Sequence, residues 1–251
     1  MSRLTDILRM DNHAVAVYGS ESVPADAVQV EAKCCIPTLL MRCTNLGGKI
    51  AADRAHVACH GAKSGLGFGG IPDRVRTSCS LSRLPESMQI GDHGRGKRYF
   101  ADPECAMFQI SGIRDYDNKA IVFQDLEEAE KEGAPIEVVV FTVDPTRLSA
   151  LMQLAAYSRR ADGPACITPF GFACQQIYAL PRAEGESDDP HAVIGMTDMY
   201  ARRYVGTDRL TFAVPYAMYR RMLEDIPGSF LEDERYIANF EKALRLRFPV
   251  N

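Results

Sequence analysis

The stretch IEVVVFTVDPTRLSALMQLAA, residues 136–156, decides the fold class. Its first eight residues are a nearly continuous β-branched and aromatic run, the pattern of a strand covered on both faces. Asp144 and Pro145 then supply a side-chain acceptor for free backbone N–H groups and a fixed φ suited to a first helical turn. Leu148, Leu151, Met152 and Ala155 recur at spacings of three and four, so a helix packed by one face follows, and Gly163 lies beyond its end. A covered strand running straight into a helix implies a sheet with helices packed on it.

Working outward, HAVAVYG (13–19), HAVIGM (191–196) and RLTFAV (209–214) read as further strands. CCIPTLLMRCTNLGG (34–48) places Leu39, Leu40 and Cys43 on one helical face and stops at paired glycines. PYAMYRRMLEDI (215–226) turns Met218, Met222 and Ile226 inward, and MSRLTDILRM (1–10) carries Leu4, Ile7 and Leu8 on one side of a short helix. Strands and helices interleave without a strict βαβ rhythm. The expected fold is therefore α+β, a mixed β-sheet with packed helices, in a single domain over residues 1–251. No internal repeat is visible at this level. Residues 71–99, with two prolines and six basic side chains against three acidic ones, read as a loop or flap, and residues 227–251 as a C-terminal helical extension.

The formal net charge of −4 excludes a broadly basic surface, so nucleic acid is not an expected partner. No apolar run approaches the roughly 20 residues of a membrane span, and the N-terminus lacks the form of a signal peptide. The expected location is the cytoplasm, with the eight cysteines as reduced thiols.

Chemistry concentrates in AHVACHGAKSGLGFGG (55–70). Gly65, Gly67 and Gly70 match the letters of the dinucleotide fingerprint, but no buried strand precedes them, and the segment is read as running on into loop. Lys63 and Ser64 precede the glycines, so the P-loop order fails too. Cys59 is a candidate nucleophile; adjacent His60 points to the other face of an extended segment, which leaves His13, His56, His93 or His191 as its base. A metal reading lacks the C-x-x-C spacing of zinc ribbons and ferredoxins, and needs ligands from separated segments.

The helix CCIPTLLMR, the turn CHGAKSGLGF, the segment VVVFTVDPTRLSALMQLAAYSRRADG, the segment PFGFACQQIYALP, and ARRY leading to RLTFAVPYAM occur in the order of the uncharacterised prokaryotic family known as domain of unknown function 169. The chain resembles that family from about Ala14 to Ile226. The resemblance brings no reaction, but it implies a cysteine set: Cys35 or its neighbour Cys34, Cys59, and Cys174. Where the family has a fourth cysteine this chain has Asp198. The set implied is that of an iron–sulfur cluster or other soft metal, with Asp198 or an outside ligand completing it and a role in redox or small-molecule handling. Cys43, Cys79, Cys105 and Cys166 read as structural. Two rival readings stand beside it. One is a non-catalytic module in which His60, Gly61, Gly65, Gly67, Arg202 and Arg203 hold an anionic small molecule. The other is an enzyme using Cys59 as nucleophile.

Overall fold

A computed structural model describes residues 3–29, 35–88 and 96–245. Among these, eight strands form one mixed sheet: β1 (Val15–Ser20), β2 (Val28–Gln29), β3 (Lys49–Asp53), β4 (Ala120–Asp125), β5 (Val138–Val143), β6 (Cys166–Ile167), β7 (Ala192–Gly195) and β8 (Leu210–Pro215). Their spatial order is β2-β3-β4-β1-β5-β8-β7-β6. The run that decided the fold class is β5, near the middle and buried along its whole length. Val138 and Val140 face one apolar cluster while Val139, Phe141 and Val143 face another, so a layer of helices lies on each side.

The first layer contains α2 (Ile36–Leu46), α3 (His60–Gly65), α4 (Ile71–Leu81), α5 (Pro103–Ile110), a π-helical turn (Gln175–Ala179) and α9 (Met199–Val205). The second contains α1 (Arg3–Ile7), α6 (Leu126–Glu132), α7 (Pro145–Ala156), α10 (Tyr216–Glu224) and α11 (Glu234–Arg245). A short helix α8 (Leu180–Glu184) continues the π-helical turn. No helix among the described residues is long and apolar enough to cross a membrane.

The sheet is two copies of one four-stranded unit. Outward from the centre, β1-β4-β3-β2 on one side answers β5-β8-β7-β6 on the other, with the outermost pair parallel and the inner pairs antiparallel in both. The registers also correspond. Val15 lies opposite Asp125 and its counterpart Val138 opposite Pro215; Ile50 lies opposite Phe123 and Val193 opposite Ala213; Val28 lies opposite Ile50 and Ile167 opposite Val193. The two units join through antiparallel β1 and β5, where Ala16 faces Val139 on the local two-fold. Helices follow the same rule: β4 runs into α6 and β8 into α10, both on the second face. The sequence reading of no internal repeat is thus corrected by the topology.

The first repeat carries an insert between α3 and β4 that contains α4 and α5. Here the structure also corrects the loop or flap expected over 71–99, because residues 71–81 are helical. Gly70 caps that helix, Pro72 sits in its first turn with Asp73, and Thr77, Ser78 and Leu81 are buried. The serines that made the segment look like loop bond backward to carbonyls three or four residues earlier, Ser78 to Val75, Ser80 to Thr77 and Ser82 to Ser78. Residues 89–95 of the expected flap, with His93, lie outside the described residues. One further reading changes: Met152 is part-exposed, and Leu154 takes the inward place on α7.

Asp144 caps α7 as its sequence position implies, accepting from the N–H groups of Thr146 and Arg147 and pairing with the Arg147 guanidinium. Burial opposes its ionisation, but the hydrogen bonds and charge of Arg147 outweigh that and hold its carboxyl below the usual range. Asp144→Ala should cost about 1–2 kcal/mol at neutral pH, read as a lower urea midpoint. A depressed carboxyl contributes fully above its unfolded pKa and loses that contribution as pH falls through the folded value. The gap between wild type and variant should therefore narrow in acid.

Candidate functional site at the junction of the repeats

The repeat places the residues singled out by the sequence. Cys35 precedes α2, the helix after the second strand of the first repeat, and Cys174 precedes the π-helical turn at the matching point of the second. Each lies seven residues beyond a matched strand residue, Val28 or Ile167. Cys59 caps α3 after the third strand of the first repeat, and Asp198 caps α9 after the third strand of the second. The match continues along these two helices: Ala62 and Leu66 correspond to Ala201 and Val205, all buried, and Gly67 and Gly206 follow with positive φ. Glycine takes positive φ without strain, so at both matched positions the chain can turn away after the helix, although the capping residue is Leu66 in α3 and Gly206 in α9.

Packing crosses the axis reciprocally. α2 packs on α9, and the equivalent π-helical turn packs on α3. The starts of four helical segments, two from each repeat, are thereby gathered on one face of the sheet. Gly65 permits the closest of these approaches, since a Cβ there would lie 2.5 Å from the Cys174 Cβ and 2.6 Å from the Gln175 nitrogen. Gly61, one turn earlier, lies against Phe172 and the Cys59 sulfur. The glycine-rich stretch is therefore a packing surface. Gly67 similarly leaves room for the Tyr116 ring.

Cys174 is buried, Cys35 half-buried and Cys59 exposed. Burial raises the Cys174 thiol well above its ordinary pKa, and negative charge on Cys35, Cys59 and Asp198 raises it further, with Lys97 opposing. Four residues from four segments thus share one electrostatic neighbourhood. Among the described residues no group of three or more His, Cys, Asp or Glu side chains is already placed to hold a metal ion. Cys34 lies outside the described residues.

Asp198 is almost fully buried and already engaged. Its Oδ1 accepts from the Tyr200 N–H at 3.0 Å and the Tyr99 hydroxyl at 2.8 Å, and its Oδ2 faces the Lys97 ammonium at 3.2 Å. Lys97 also lies over the Tyr200 ring, 4.7 Å from its centroid. Nothing in the spacing pairs Lys97 or Tyr99 with Asp198, about a hundred residues away; the insert's path brings them there.

The residues assigned to an anion are used elsewhere. His60 pairs with Asp73 at 2.6 Å, the Arg202 guanidinium binds the carbonyls of Met196 and Arg209, and Arg203 lies on the Tyr204 ring. The remaining described histidines also meet carboxylates: His13 with Asp125, His56 with Asp53, and His191 with Glu184. Among the described residues no histidine hydrogen-bonds the Cys59 thiol, so the nucleophile reading finds no base there. A separate cavity of about 320 Å³, lined by His13, Asp125, Glu128 and Lys131 among others, includes none of the three thiols.

The family model of domain of unknown function 169, described as an uncharacterised ArCR, matches residues 3–225. The chain belongs to this family. No curated protein and no solved structure matches it. Membership in domain of unknown function 169 carries no reaction with it, so the chemistry has to come from the site.

Gly65→Ala tests the packing at the axis. Helix propensity alone favours alanine by up to about 1 kcal/mol. The clash with the Cys174 backbone should reverse the sign and leave a net loss of about 1–3 kcal/mol in urea unfolding. Gly112→Ala, in the turn after α5 where an added Cβ meets nothing within 4 Å, is the control for added bulk without a clash and should be nearly neutral.

Proposed function

We propose that this protein holds an iron–sulfur cluster or another soft, thiol-bound metal through Cys35, Cys59 and Cys174, in a redox or small-molecule-handling role. What supports the reading is that Cys35 and Cys174 stand at matched positions of the two repeats, before α2 and before the π-helical turn, and that Cys35 and Cys59 are both near enough to act electrostatically on Cys174. The donor set suits a soft metal in kind, since thiolates supply both charge and polarisable sulfur. Because among the described residues no three side chains are already in ligating position, loading has to draw the thiols together and deprotonate Cys174. A bound cluster would supply electron transfer or Lewis acidity; the chain's part is to provide the thiolates and to shield one side of them with Phe172 and the π-helical turn.

The test is anaerobic loading of the reduced full chain with iron and sulfide, and separately with cobalt(II), followed by visible absorption and metal analysis. Wild type should develop thiolate-to-metal charge-transfer bands. Cys59→Ser and Cys174→Ser should each weaken metal binding by at least about 10-fold. Cys105→Ser, at an exposed thiol on α5, should match wild type. Equal metal retention by wild type and a Cys59→Ser/Cys174→Ser double variant would remove the proposal.

A further inference from the structure

At the end of the sheet where β1 begins and β4 finishes, His13 Nδ1 lies 2.6 Å from Asp125 Oδ2. A carboxylate only accepts, so Nδ1 carries the proton and the neutral ring keeps its lone pair on Nε2. Both partners are held in place. Asp125 is buried and its Oδ1 accepts from the Glu128 N–H at 3.0 Å, while the His13 N–H donates to the Thr44 carbonyl at 2.8 Å. Among the described residues nothing bonds Nε2, and the His13 side chain, 46 % exposed, lines the cavity of about 320 Å³. The register places Ile136 and Pro215 at the equivalent points of the second repeat, so the same corner of the fold is built there from apolar residues.

Asn12, in the same cavity wall, gives an independent sign of a ligand. Its Nδ2 donates to the Thr142 carbonyl at 2.9 Å, which fixes the amide's orientation and leaves Oδ1 as an acceptor shut off from solvent with no donor. Leaving a buried acceptor unpaired costs about 1–3 kcal/mol. The charges at the rim point to the kind of donor that is missing. Lys131 pairs with Glu127 at 3.0 Å and Asp11 with Arg209 at 3.1 Å, but among the described residues no cation pairs with Glu128. Met10, Ala14 and Leu126 add a buried apolar wall.

We propose that this cavity is a second binding site, for a small aliphatic primary amine in its ammonium form. The three N–H groups of the ammonium meet Asn12 Oδ1, His13 Nε2 and the Glu128 carboxylate, and the aliphatic chain lies on Met10, Ala14 and Leu126. Asp125 is a positioning residue that sets the imidazole tautomer. A neutral alcohol donates only once and leaves Glu128 without a counter-charge. The site shares no residue with the three thiols and stands whether or not they hold a metal.

The full chain titrated with n-butylammonium at about pH 8, where an ordinary imidazole is neutral and an alkylamine is protonated, tests the proposal. Backbone NMR signals of residues 10–14 and 125–131 should shift saturably. n-Butanol, which lacks the charge, and tetramethylammonium, which lacks the N–H groups, should each bind at least about 10-fold more weakly. Glu128→Gln, at an exposed position, and His13→Phe, which keeps a ring without an acceptor, should each weaken n-butylammonium by about 5-fold or more. Asp125→Asn keeps an acceptor for the cap of α6, but its amide donates to Nδ1 and moves the ring proton to Nε2. The ring nitrogen shifts should report that change of tautomer and binding should weaken with it, a result that loss of structure alone would not give. Glu104→Gln, on exposed α5 surface outside the cavity, should bind as wild type does. Shifts that do not saturate, equal binding of tetramethylammonium, or unchanged affinity in Glu128→Gln would overturn the site, and the last of these holds even if His13→Phe fails to fold.

Discussion

Everything in this fold hangs on one antiparallel seam, the pairing of β1 with β5 around Ala16 and Val139. Each repeat is a four-stranded unit whose central strand would otherwise be an edge, with a row of unsatisfied backbone groups. Joining the two units removes both edges and merges the apolar surfaces into two continuous layers. It also sets the two-fold from which the positions of Cys35, Cys174, Cys59 and Asp198 follow. The insert, with its aromatic and lysine contacts, is an elaboration of one copy.

The sequence was most legible where one physical signal dominated. The β-branched run 138–143, the Asp144–Pro145 cap and the one-faced helices α2, α7 and α10 were read from periodicity and turn chemistry, because burial at those places is strong and local. Strand β3 was not read. Its KIAAD has two alanines, small residues with little strand preference, held by neighbours on both sides. Helix α4 was hidden by proline and glycine, which served there as start signals. The repeat escaped detection because what the copies share is register, burial and backbone conformation. Only an alanine and a glycine stay identical between HGAKSGLG (60–67) and MYARRYVG (199–206).

The site was legible only in part, for a related reason. Cysteines 35, 59 and 174 are too far apart for any spacing rule, and a resemblance to a family, not a pattern of residues, was what grouped them. Which residues face Asp198 could not be foreseen, since that depends on the path of an insert whose ends are joined through tertiary contacts. The glycines at 61, 65 and 67 looked like a cradle for a ligand; their crowding by Cys174, Phe172 and Tyr116 makes them contact points between segments. A glycine-rich stretch answers equally to a phosphate and to a neighbouring helix, and only the fold tells them apart.

The unequal covering of Cys59 and Asp198 has a directional meaning. A cradle lying on a two-fold looks the same from either repeat, so it offers no preferred side of approach. By roofing one half with the 96–100 segment and leaving the thiol of the other half in solvent, the chain turns a symmetric cradle into one with a front and a back. Two halves of matched backbone thus present unlike faces: one carries a thiol open to solvent, the other a carboxylate closed off from it.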